Sequence, residues 1–410
     1  MASKTNTRQH LHAPTFFRPH GFIQRSAEPG IDRQRQSDLF ELLDQQATSP
    51  FEIELWEGTS YHLGPAGQPQ FRVEIRHPSG LAALRSLNEL RICEAYIAGE
   101  LEFSGSMLKL FDLKRILSLQ HPWLNFIRLI RPWVVGQVRD DAAAIATHYD
   151  YDDEFYMLLL DPTRTYSQGV FESDDETLET AMRRKLDFAI ENCQLQPGMK
   201  VLDVGGGWGA FTEYAGQRGI EVTSLTISDR SLRYLNRLIL EKNLPCRAIQ
   251  QNFMTYRPAE KYDAVVILGV IEHLPNYRQV VQQLQQLLRL GGRAYLDGSA
   301  SKRKFSFNAF LNRHIYPGNH CTLSIHDFLA EVQHSSLELL SVHSDRHSYY
   351  LTSKLWAEKL EAAKAEIIER WGRELYCKFH LYLWGVCHNF LKNDLQAYRL
   401  VLEHNPRHQL

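Results

Sequence analysis

A glycine-rich loop in the middle of the chain is the clearest candidate for a ligand site. In KVLDVGGGWGAF, a β-branched strand leads into Gly205, Gly206, Gly207 and Gly209, and we expect a helix to begin directly after them. Glycines let the backbone approach a ligand closely, and the N-terminus of the helix faces that ligand. The loop also satisfies a loose dinucleotide-binding pattern, so it does not by itself decide which ligand binds.

An acidic residue before the loop favours a cationic ligand. Asp203 stands two residues before the first glycine. A carboxylate at that position attracts a sulfonium and an amino group, whereas it would repel a pyrophosphate. We therefore predict S-adenosylmethionine as the cofactor, with a nicotinamide or flavin dinucleotide as the alternative.

The next two strands end in polar residues that could complete this site. Thr226 and Ser228 close the second strand, where the ribose of the cofactor is expected at the carboxyl edge of the sheet. Asn252 follows the third strand and could form a hydrogen bond with the edge of the adenine. Ordinary capping of strand ends explains the same residues, so both interpretations stay open.

The segments that position these residues alternate between strand-like and helix-like patterns from Gln196 onward. Such alternation predicts an α/β fold with a parallel, doubly wound, Rossmann-like sheet. We expect the helix YRQVVQQLQQLLRL to be closed by Gly291 and Gly292 as its C-cap. The last fifty or so residues, through LQAYRLVLEHN, are predicted to be helical additions packed on this domain.

The pattern divides the chain into four parts. Residues 1–37 read as a flexible basic arm. Residues 38–118, with the alternating segments FEIELW, FRVEIRHP and EAYIAGELEFSG, predict a small α+β domain of short strands. Residues 119–145, where aromatic and branched side chains are interleaved with arginines, predict a linker that is either buried between domains or lies at a membrane interface. Residues 146–410 form the predicted methyltransferase domain.

Composition limits the classes of function. The 410 residues carry a formal net charge of -2, which gives no overall attraction to nucleic acid. Six scattered cysteines show no metal-binding spacing, so no metal site is predicted. The start of the chain lacks the apolar segment of a signal peptide, and no apolar run reaches about 18 residues. A soluble or peripheral cytoplasmic protein is expected.

Several motifs together resemble the cyclopropane fatty acid synthases and the related mycolic acid cyclopropane synthases. They occur in the family's order and span nearly the whole chain: LRICEAYIAGELEFSG, HYDYDDEFYMLLLDPTRTYSQGVF, KLDFAIENCQLQPGMKVLDVGGGWG, SLTIS and LGVIEHL. The resemblance implies that Tyr166 and Ser167 contact the cofactor together with Gly205 and Gly207. It also implies that Ile227 and Phe253 lie against the adenosine, that Glu272 faces the reaction centre, and that Tyr349 closes the site.

The reaction implied by this resemblance is methyl transfer to an alkene, which produces a carbocation. An alkene is a weak nucleophile and needs close alignment, and the cation needs stabilisation. Aromatic faces can supply it, and the candidates are Tyr166, Tyr316, Tyr349 and Phe155. A base must then remove a proton; loss from the new methyl group closes a cyclopropane, and loss from a neighbouring carbon leaves a methylated or methylene alkene.

The chain departs from the family at the position of that base. The resemblance implies a bound bicarbonate held by a Cys, a His, a Glu, a Tyr and a carbonyl, but here Gln168 replaces the cysteine and Asp297 stands where the histidine is expected. A carboxylate would repel bicarbonate, so bicarbonate is a doubtful ligand. We predict instead that Asp297, paired with Glu272, is the base and that Gln168 holds one of these carboxyl groups by a hydrogen bond. An Asp297 that only caps a strand end is the alternative.

These expectations define the predicted function and its alternatives. The first is a cyclopropane-fatty-acyl-phospholipid synthase-like methyltransferase, peripheral to the inner face of the membrane, with a phospholipid surface as its partner. The altered base site favours methyl-branched or methylene products as a variant. Methylation of a soluble unsaturated metabolite and a non-catalytic lipid-binding role stay open, and the resemblance suggests a homodimer formed through the amino-terminal domain.

Overall fold

The structure of the protein is a computed structural model that describes residues 29–117, 152–302, 304, 308–316 and 321–405, with side chains described from residue 37 onward. The predicted linker at 119–145 and most of the predicted arm lie outside these ranges. Helix α1, Pro29–Gln46, begins inside the predicted arm, so the expectation of a loose segment up to residue 37 is wrong for its last part. Leu39, Phe40 and Leu43 of this helix are buried, and that packing explains why it forms.

A four-stranded sheet forms the core of the amino-terminal region. Its strand order is β2-β1-β3-β4, with β1 and β3 parallel. The bounds are β1 Phe51–Leu55, β2 Ser60–Leu63, β3 Phe71–Ile75 and β4 Leu101–Gly105, with α2 Pro78–Arg85, α3 Glu89–Ile97, α4 Met107–Phe111 and a 3₁₀ turn Asp112–Ile116. The prediction of strand for EAYI is wrong. These residues lie in α3, whose first turn is capped by the Asn88 side chain, which accepts a hydrogen bond from the Arg91 N–H at 3.1 Å.

A seven-stranded sheet of order β10-β11-β9-β8-β5-β6-β7 carries the rest of the described chain. Strands β9, β8, β5, β6 and β7 are parallel, which confirms the doubly wound fold. The strands are β5 Lys200–Val204, β6 Glu221–Thr226, β7 Arg247–Gln250, β8 Tyr262–Leu268, β9 Leu288–Ala300, β10 Leu337–Ser344 and β11 Gln396–His404. The helices are α5 Asp153–Leu159, α6 Leu178–Asn192, α7 Ala210–Gly216, α8 Asp229–Glu241, α9 Tyr277–Leu287, α10 Ile325–Gln333, α11 Arg346–Ala362, α12 Lys364–Trp371 and α13 Arg373–Leu391, with short turns at Phe253–Thr255, Ile271–His273 and Leu311–Ile315.

Two elements of this sheet region differ from what the sequence predicts. Helix α9 ends at Leu287 without a glycine cap, because β9 starts at Leu288 and includes Gly291 with a φ of +75°. The last segment, QAYRLVLEH, is not helical but is strand β11, which pairs antiparallel with both β9 and β10. A strand buried on both faces reads as a short apolar run, and periodicity cannot distinguish such a run from a buried helix.

The carboxyl-terminal helices share one hydrophobic core with the small sheet, while the buried residues of the seven-stranded sheet form two further clusters. Residues of the small sheet and of α5, α11 and α13 belong to the same buried cluster. The contact also contains ion pairs, in which Glu102 meets Arg373 at 2.7 Å and Asp112 meets Lys392 at 2.7 Å. Within the described ranges, none of the helices combines the length and the apolar character needed to cross a bilayer.

Candidate active site

A cavity lies along the carboxyl ends of β8, β5, β6 and β7, and we call it the edge cavity. Its lining includes every residue predicted to bind the cofactor: Tyr166, Ser167, Asp203, Gly205, Gly207, Thr226, Ile227, Ser228, Asn252 and Phe253. The structure thus brings together residues that are 87 positions apart in the chain, from Tyr166 to Phe253. Their individual roles in binding stay predictions.

The sheet order arranges these residues in a line. Gly269 follows β8, Gly205 follows β5, Thr226 ends β6 and Asn252 follows β7. A ligand lying across the four strand ends therefore meets the glycine loop at its middle and the Asn252 side at one end. At Gly207, with a φ of +50°, a Cβ would have one neighbour within 4 Å, the Gly205 carbonyl oxygen at 3.7 Å. Open space of this kind beside the loop suits a ligand packed against the backbone.

Asp203 is held at the floor of the edge cavity. Its Oδ2 accepts hydrogen bonds from the Thr212 hydroxyl at 2.9 Å and from the Ser224 hydroxyl at 3.0 Å. Burial raises the pKa of Asp203 to about 6, and the two hydroxyls oppose that rise. A cationic group in the cavity would favour the ionised carboxylate, as the sequence predicts.

The loop that carries Tyr166 and Ser167 is clamped between α6 and α11. The Gly169 N–H donates to the Thr352 hydroxyl at 2.9 Å, and the Phe171 N–H donates to the Ser348 hydroxyl at 3.1 Å. The Gln168 Nε2 donates to Asp345 Oδ2 at 3.1 Å. Gln168 therefore holds a carboxyl group, but the prediction that this group belongs to Glu272 or Asp297 is wrong.

Glu272 lies on the turn directly after β8, next to the edge cavity. Its side chain is buried, and Oε1 accepts hydrogen bonds from the Ser299 N–H at 2.7 Å and from the Ser299 hydroxyl at 3.0 Å. Oε2 has no hydrogen-bond partner among the described residues. Burial raises the pKa of Glu272 to about 7, and the charge of Asp297 adds to that rise. The expected coupling of two carboxylates is thus present, although burial is the larger cause.

Asp297 lies behind the cavity wall instead of lining it. It is completely buried, and its Oδ1 accepts a hydrogen bond from the Gly269 N–H at 2.9 Å. Its Oδ2 accepts one from the Tyr295 hydroxyl at 3.0 Å and lies 3.5 Å from the Lys185 ammonium. Each carboxyl oxygen of Asp297 thus already accepts a hydrogen bond from the protein. This environment suits a carboxylate with a structural role better than a base that must accept a proton from the substrate.

Aromatic side chains surround the far side of Tyr166. Its ring lies 5.1 Å from that of Trp356, which in turn lies 6.4 Å from Tyr349. The hydroxyls of Tyr316 and Tyr382 are 2.6 Å apart. Burial raises the pKa of Tyr382, the charge of Glu272 adds to that rise, and the neighbouring hydroxyls of Tyr316 and Tyr166 oppose it. Tyr166 and Tyr316 are thus both close to Tyr382, whose pKa responds to the charge of Glu272, whereas Tyr349 lies beyond Trp356 with its ring stacked on Phe390 at 4.5 Å.

Phe155 behaves differently from the other aromatic candidates. It is fully buried, and its ring packs edge-on against Phe379 at 4.7 Å and against Trp371 at 5.7 Å. It belongs to the hydrophobic core that the small sheet shares with α5, α11 and α13, and it is absent from the lining of the edge cavity. Hydrophobic packing in the core therefore accounts for the position of the Phe155 side chain.

Sequence reasoning missed Lys185, Trp356, Tyr382 and His273. His273 lines the edge cavity, and Lys185 is completely buried on α6. A signal for Lys185 was available, because it falls on the apolar stripe of that helix with Met182 and Ala189. A lysine on a buried stripe is rare unless it is paired. Trp356 and Tyr382 gave no comparable signal.

Comparison with known proteins identifies the family. The sequence profile of mycolic acid cyclopropane synthetase matches residues 137–400, more than half of the chain. The chain belongs to this family. It is therefore an S-adenosylmethionine-dependent methyltransferase. A second sequence profile, that of a domain of unknown function, matches residues 39–116. Among the described residues, no group of three or more His, Cys, Asp or Glu side chains could hold a metal ion.

Individual relatives agree with this family assignment. A protein of Mycobacterium tuberculosis named "Probable fatty acid methyltransferase" is 26% identical, with 90% of this chain and 94% of that protein covered. A "Probable fatty acid methyltransferase" of Pseudomonas putida is 27% identical over 86% of this chain and 91% of its own length. The crystal structure of a mycolic acid cyclopropane synthase with S-adenosylhomocysteine and CTAB is 27% identical, with a TM-score of 0.60 over 64% of this chain and 98% of that chain.

Proposed function

We propose that this methyltransferase acts on the double bond of an unsaturated acyl chain in a phospholipid, and that Glu272 removes the proton that completes the reaction. One observation carries the proposal. In a chain of this family, a buried carboxylate with a raised pKa and an oxygen without a partner among the described residues stands at the end of β8, beside the edge cavity. The acyl substrates in the names of the relatives support lipid as the acceptor.

The edge cavity fits S-adenosylmethionine. Asn252 would hold the adenine, Thr226 and Ser228 would hold the ribose, and Gly205 and Ser167 would hold the amino-acid part, following the order of the strands. Asp203 faces the positive charges of the amino-acid part. When bound, the cofactor supplies an electrophilic methyl group on sulfur.

The residues beside the cavity then manage the charge that forms on the acyl chain. Addition of a methyl group to the alkene leaves a carbocation on the chain, and the faces of Tyr166, Tyr316 and Tyr349 stabilise a cation through their quadrupoles. The nearby carboxylate of Glu272 adds electrostatic stabilisation. Glu272 then takes one proton. Because its pKa is raised to about 7, it is a stronger base than an ordinary carboxylate and is still substantially ionised near neutral pH.

The described residues do not fit a bicarbonate ion in this role. Bicarbonate needs hydrogen-bond donors, but the Gln168 amide donates to Asp345, and the oxygen of that amide is an acceptor without a partner among the described residues. Asp297, which stands where the resemblance leads one to expect a histidine, adds a carboxylate close enough to Glu272 to raise its pKa. A cluster of acceptors repels an anion.

The product depends on which carbon loses the proton. Loss from a neighbouring carbon gives a methylene or methyl-branched chain, and the two relatives named as fatty acid methyltransferases favour this outcome. Loss from the new methyl group gives a cyclopropane, and the family profile favours that second candidate. The transfer step is the same in both.

The identity of the methyl acceptor predicts the cellular location of the protein. A phospholipid substrate requires contact with a membrane surface, so we propose a cytoplasmic protein that binds the inner face of the membrane peripherally. Co-sedimentation with liposomes that contain monounsaturated chains tests this. Protein that stays in the supernatant while methylating a soluble unsaturated metabolite would favour the metabolite alternative, and cofactor binding without turnover would favour a lipid-binding role. Sedimentation velocity tests the predicted homodimer.

Product analysis is the direct test of the reaction. The purified protein is incubated with S-adenosylmethionine and monounsaturated liposomes, with and without added bicarbonate, and the fatty acids are analysed by mass spectrometry and NMR. A gain of one CH₂ that is independent of bicarbonate is expected, and retained alkene protons or cyclopropane protons identify the product. A gain that requires bicarbonate would contradict Glu272 as the base, and no gain with any acyl chain would contradict the lipid acceptor.

A further inference from the structure

A buried ion pair behind the edge cavity has no role in the proposed proton transfer. Lys185 on α6 and Asp297 on β9 are both completely buried, and their charged atoms lie 3.5 Å apart. Burial lowers the pKa of Lys185 and raises that of Asp297, while their mutual attraction opposes both shifts. Replacing a buried pair by apolar residues is often neutral or stabilising. A contribution to folding stability is therefore a weak explanation for the presence of this buried ion pair.

Each member of the pair holds a different wall of the edge cavity. The Lys185 ammonium donates a hydrogen bond to the Ser167 hydroxyl at 2.6 Å, and Ser167 lines the cavity. Asp297 accepts a hydrogen bond from the Gly269 N–H at 2.9 Å, and Gly269 lines the cavity from the β8 side. The ion pair thus joins a loop before α6 to a turn after β8.

The two walls are in direct contact in front of the pair. Gly269 has a φ of +63°, and a Cβ at this position would lie 2.8 Å from the Ser167 Cβ. Only glycine allows so close an approach with this backbone conformation. The turn then continues to Glu272, so the position of Ser167 and the start of the turn that carries the proposed base are set by the same pair of charges.

Lys185 also fixes the hydrogen-bonding role of Ser167. A hydroxyl has one proton to donate and two lone pairs that accept. Since the ammonium can only donate, it occupies a lone pair and leaves the Ser167 proton for another acceptor. A Ser167 hydroxyl that donates a hydrogen bond toward the cavity is complementary to the carboxylate at the amino-acid end of the cofactor.

We propose that Lys185 and Asp297 are positioning residues for the cofactor, and that Lys185 makes Ser167 a donor to the carboxylate of its amino-acid part. The proposal deepens the assigned cofactor site and rests on it, but it is independent of the acceptor. It replaces the role of base that the sequence predicts for Asp297. Asp297 acts through the Gly269 turn and does not touch the reacting atoms.

A comparison of two ligands separates this role from a general effect on folding. S-adenosylhomocysteine carries the amino-acid part, and methylthioadenosine lacks it. Isothermal titration of the full chain measures both. In Lys185→Met, affinity for S-adenosylhomocysteine should fall by about 10-fold or more, as expected for a lost hydrogen bond to a charged group, while affinity for methylthioadenosine changes by less than about 2-fold. Equal losses for both ligands would overturn the proposal.

A double-mutant cycle tests whether Lys185 acts through Ser167. Ser167→Ala should weaken S-adenosylhomocysteine selectively, and Lys185→Met added to it should change affinity by less than about 2-fold, because interacting residues are not additive. Additive losses, or a Ser167→Ala protein that binds as tightly as the wild type, would contradict the proposal. If Lys185→Met does not fold, Lys185→Met combined with Asp297→Asn removes both charges and should show the same ligand selectivity.

Two controls complete the experiment. Arg293 lies on β9 like Asp297, but at the end away from the cavity, and it forms an ion pair with Glu403 of β11 at 2.9 Å. Arg293→Met should leave both affinities unchanged. Asp297→Asn should leave a rise of turnover with pH that Glu272 sets, displaced only toward lower pH because the charge of Asp297 adds to the pKa of Glu272, and should lower kcat by less than about 10-fold. Loss of turnover by a factor above about 100, with intact S-adenosylhomocysteine binding, would restore Asp297 as the base. Wild-type protein that binds S-adenosylhomocysteine but methylates no lipid would count against the proposed acceptor alone.

Discussion

Two buried carboxylates at the ends of neighbouring strands show how environment assigns different roles to the same chemical group. Glu272 follows β8 and keeps one oxygen without a partner among the described residues, whereas Asp297 near the end of β9 has donors on both oxygens and a cation at 3.5 Å. Burial raises the pKa of each. An open oxygen can accept a proton from a substrate, while a fully bonded carboxylate holds other groups in place.

The largest effect is expected from removal of the open oxygen. Glu272→Gln keeps the shape of the side chain but cannot accept a proton, so kcat should fall by about 10³-fold with S-adenosylhomocysteine affinity within about 3-fold of wild type. Steady-state kinetics and titration measure the two quantities. Glu260→Gln, which alters an exposed carboxylate before β8, is the control. Turnover within about 10-fold of wild type in Glu272→Gln would show that another group is the base.

The pKa of Glu272 predicts opposite effects of pH on activity and on stability. The base must be ionised, so kcat/KM should fall about tenfold per pH unit below about 7. The pKa of about 7 in the folded state exceeds the ordinary glutamate value of 4.5, so the folded state binds the proton more tightly and loses stability as the pH rises from 4.5 to 7. The loss is on the order of 3 kcal/mol.

Thermal denaturation at several pH values measures this second effect. Glu272→Gln should gain stability relative to wild type as the pH rises through the same window, and the two proteins should converge near pH 4.5, where Glu272 is protonated in the folded state. A constant difference in melting temperature across the window would mean that Glu272 is ionised throughout.

The position of Glu272 depends on an adjacent glycine. A Cβ at Gly298 would lie 2.5 Å from the Ile271 Cγ2 and 3.0 Å from the Glu272 Oε2. Gly298→Ala should therefore displace the base and lower kcat by about 10-fold, on the scale of a small misplacement of a reacting group. Gly385→Ala is the matched control, because its nearest neighbour would be a Phe111 carbon at 3.4 Å, an ordinary contact. Unchanged kcat in Gly298→Ala would weaken the role of Glu272.

The smallest effect is expected at Gln168, which contacts neither of the two carboxylates through a hydrogen bond. Gln168→Cys restores the cysteine that the family resemblance leads one to expect, but Asp345 keeps its ion pair with Arg399 at 3.0 Å. Stability should fall by about 1 kcal/mol, turnover should stay within about 3-fold, and bicarbonate should have no effect. Stimulation of turnover by bicarbonate in this variant would mean that an anion can still bind beside Asp297.

The fold and the cofactor cavity were largely predictable from the sequence because they depend on local patterns. Glycines after a β-branched strand and polar residues after the next strands must meet at one edge of a parallel sheet. The errors fall where periodicity carries no decisive signal. Strand β11 is buried on both faces, and the EAYI segment follows an asparagine cap that starts a helix.

The roles of the candidate catalytic residues needed the tertiary structure. The sequence names Glu272, Asp297 and Gln168, but it cannot state which carboxylate receives which donor. Gln168 meets Asp345, which is 177 positions away, and Asp297 meets Lys185 across the sheet. These pairings depend on how α6 and α11 pack against the strands.

By itself, the sequence determined the doubly wound fold, the cofactor and ten of the residues that line the edge cavity, since strand patterns and glycine spacing are properties of adjacent residues. Only the tertiary structure decided that Glu272 keeps an oxygen without a partner among the described residues while the oxygens of Asp297 are occupied. Burial and hydrogen-bond partners set the pKa and the reactivity of a carboxylate, and both come from segments that are distant in the chain.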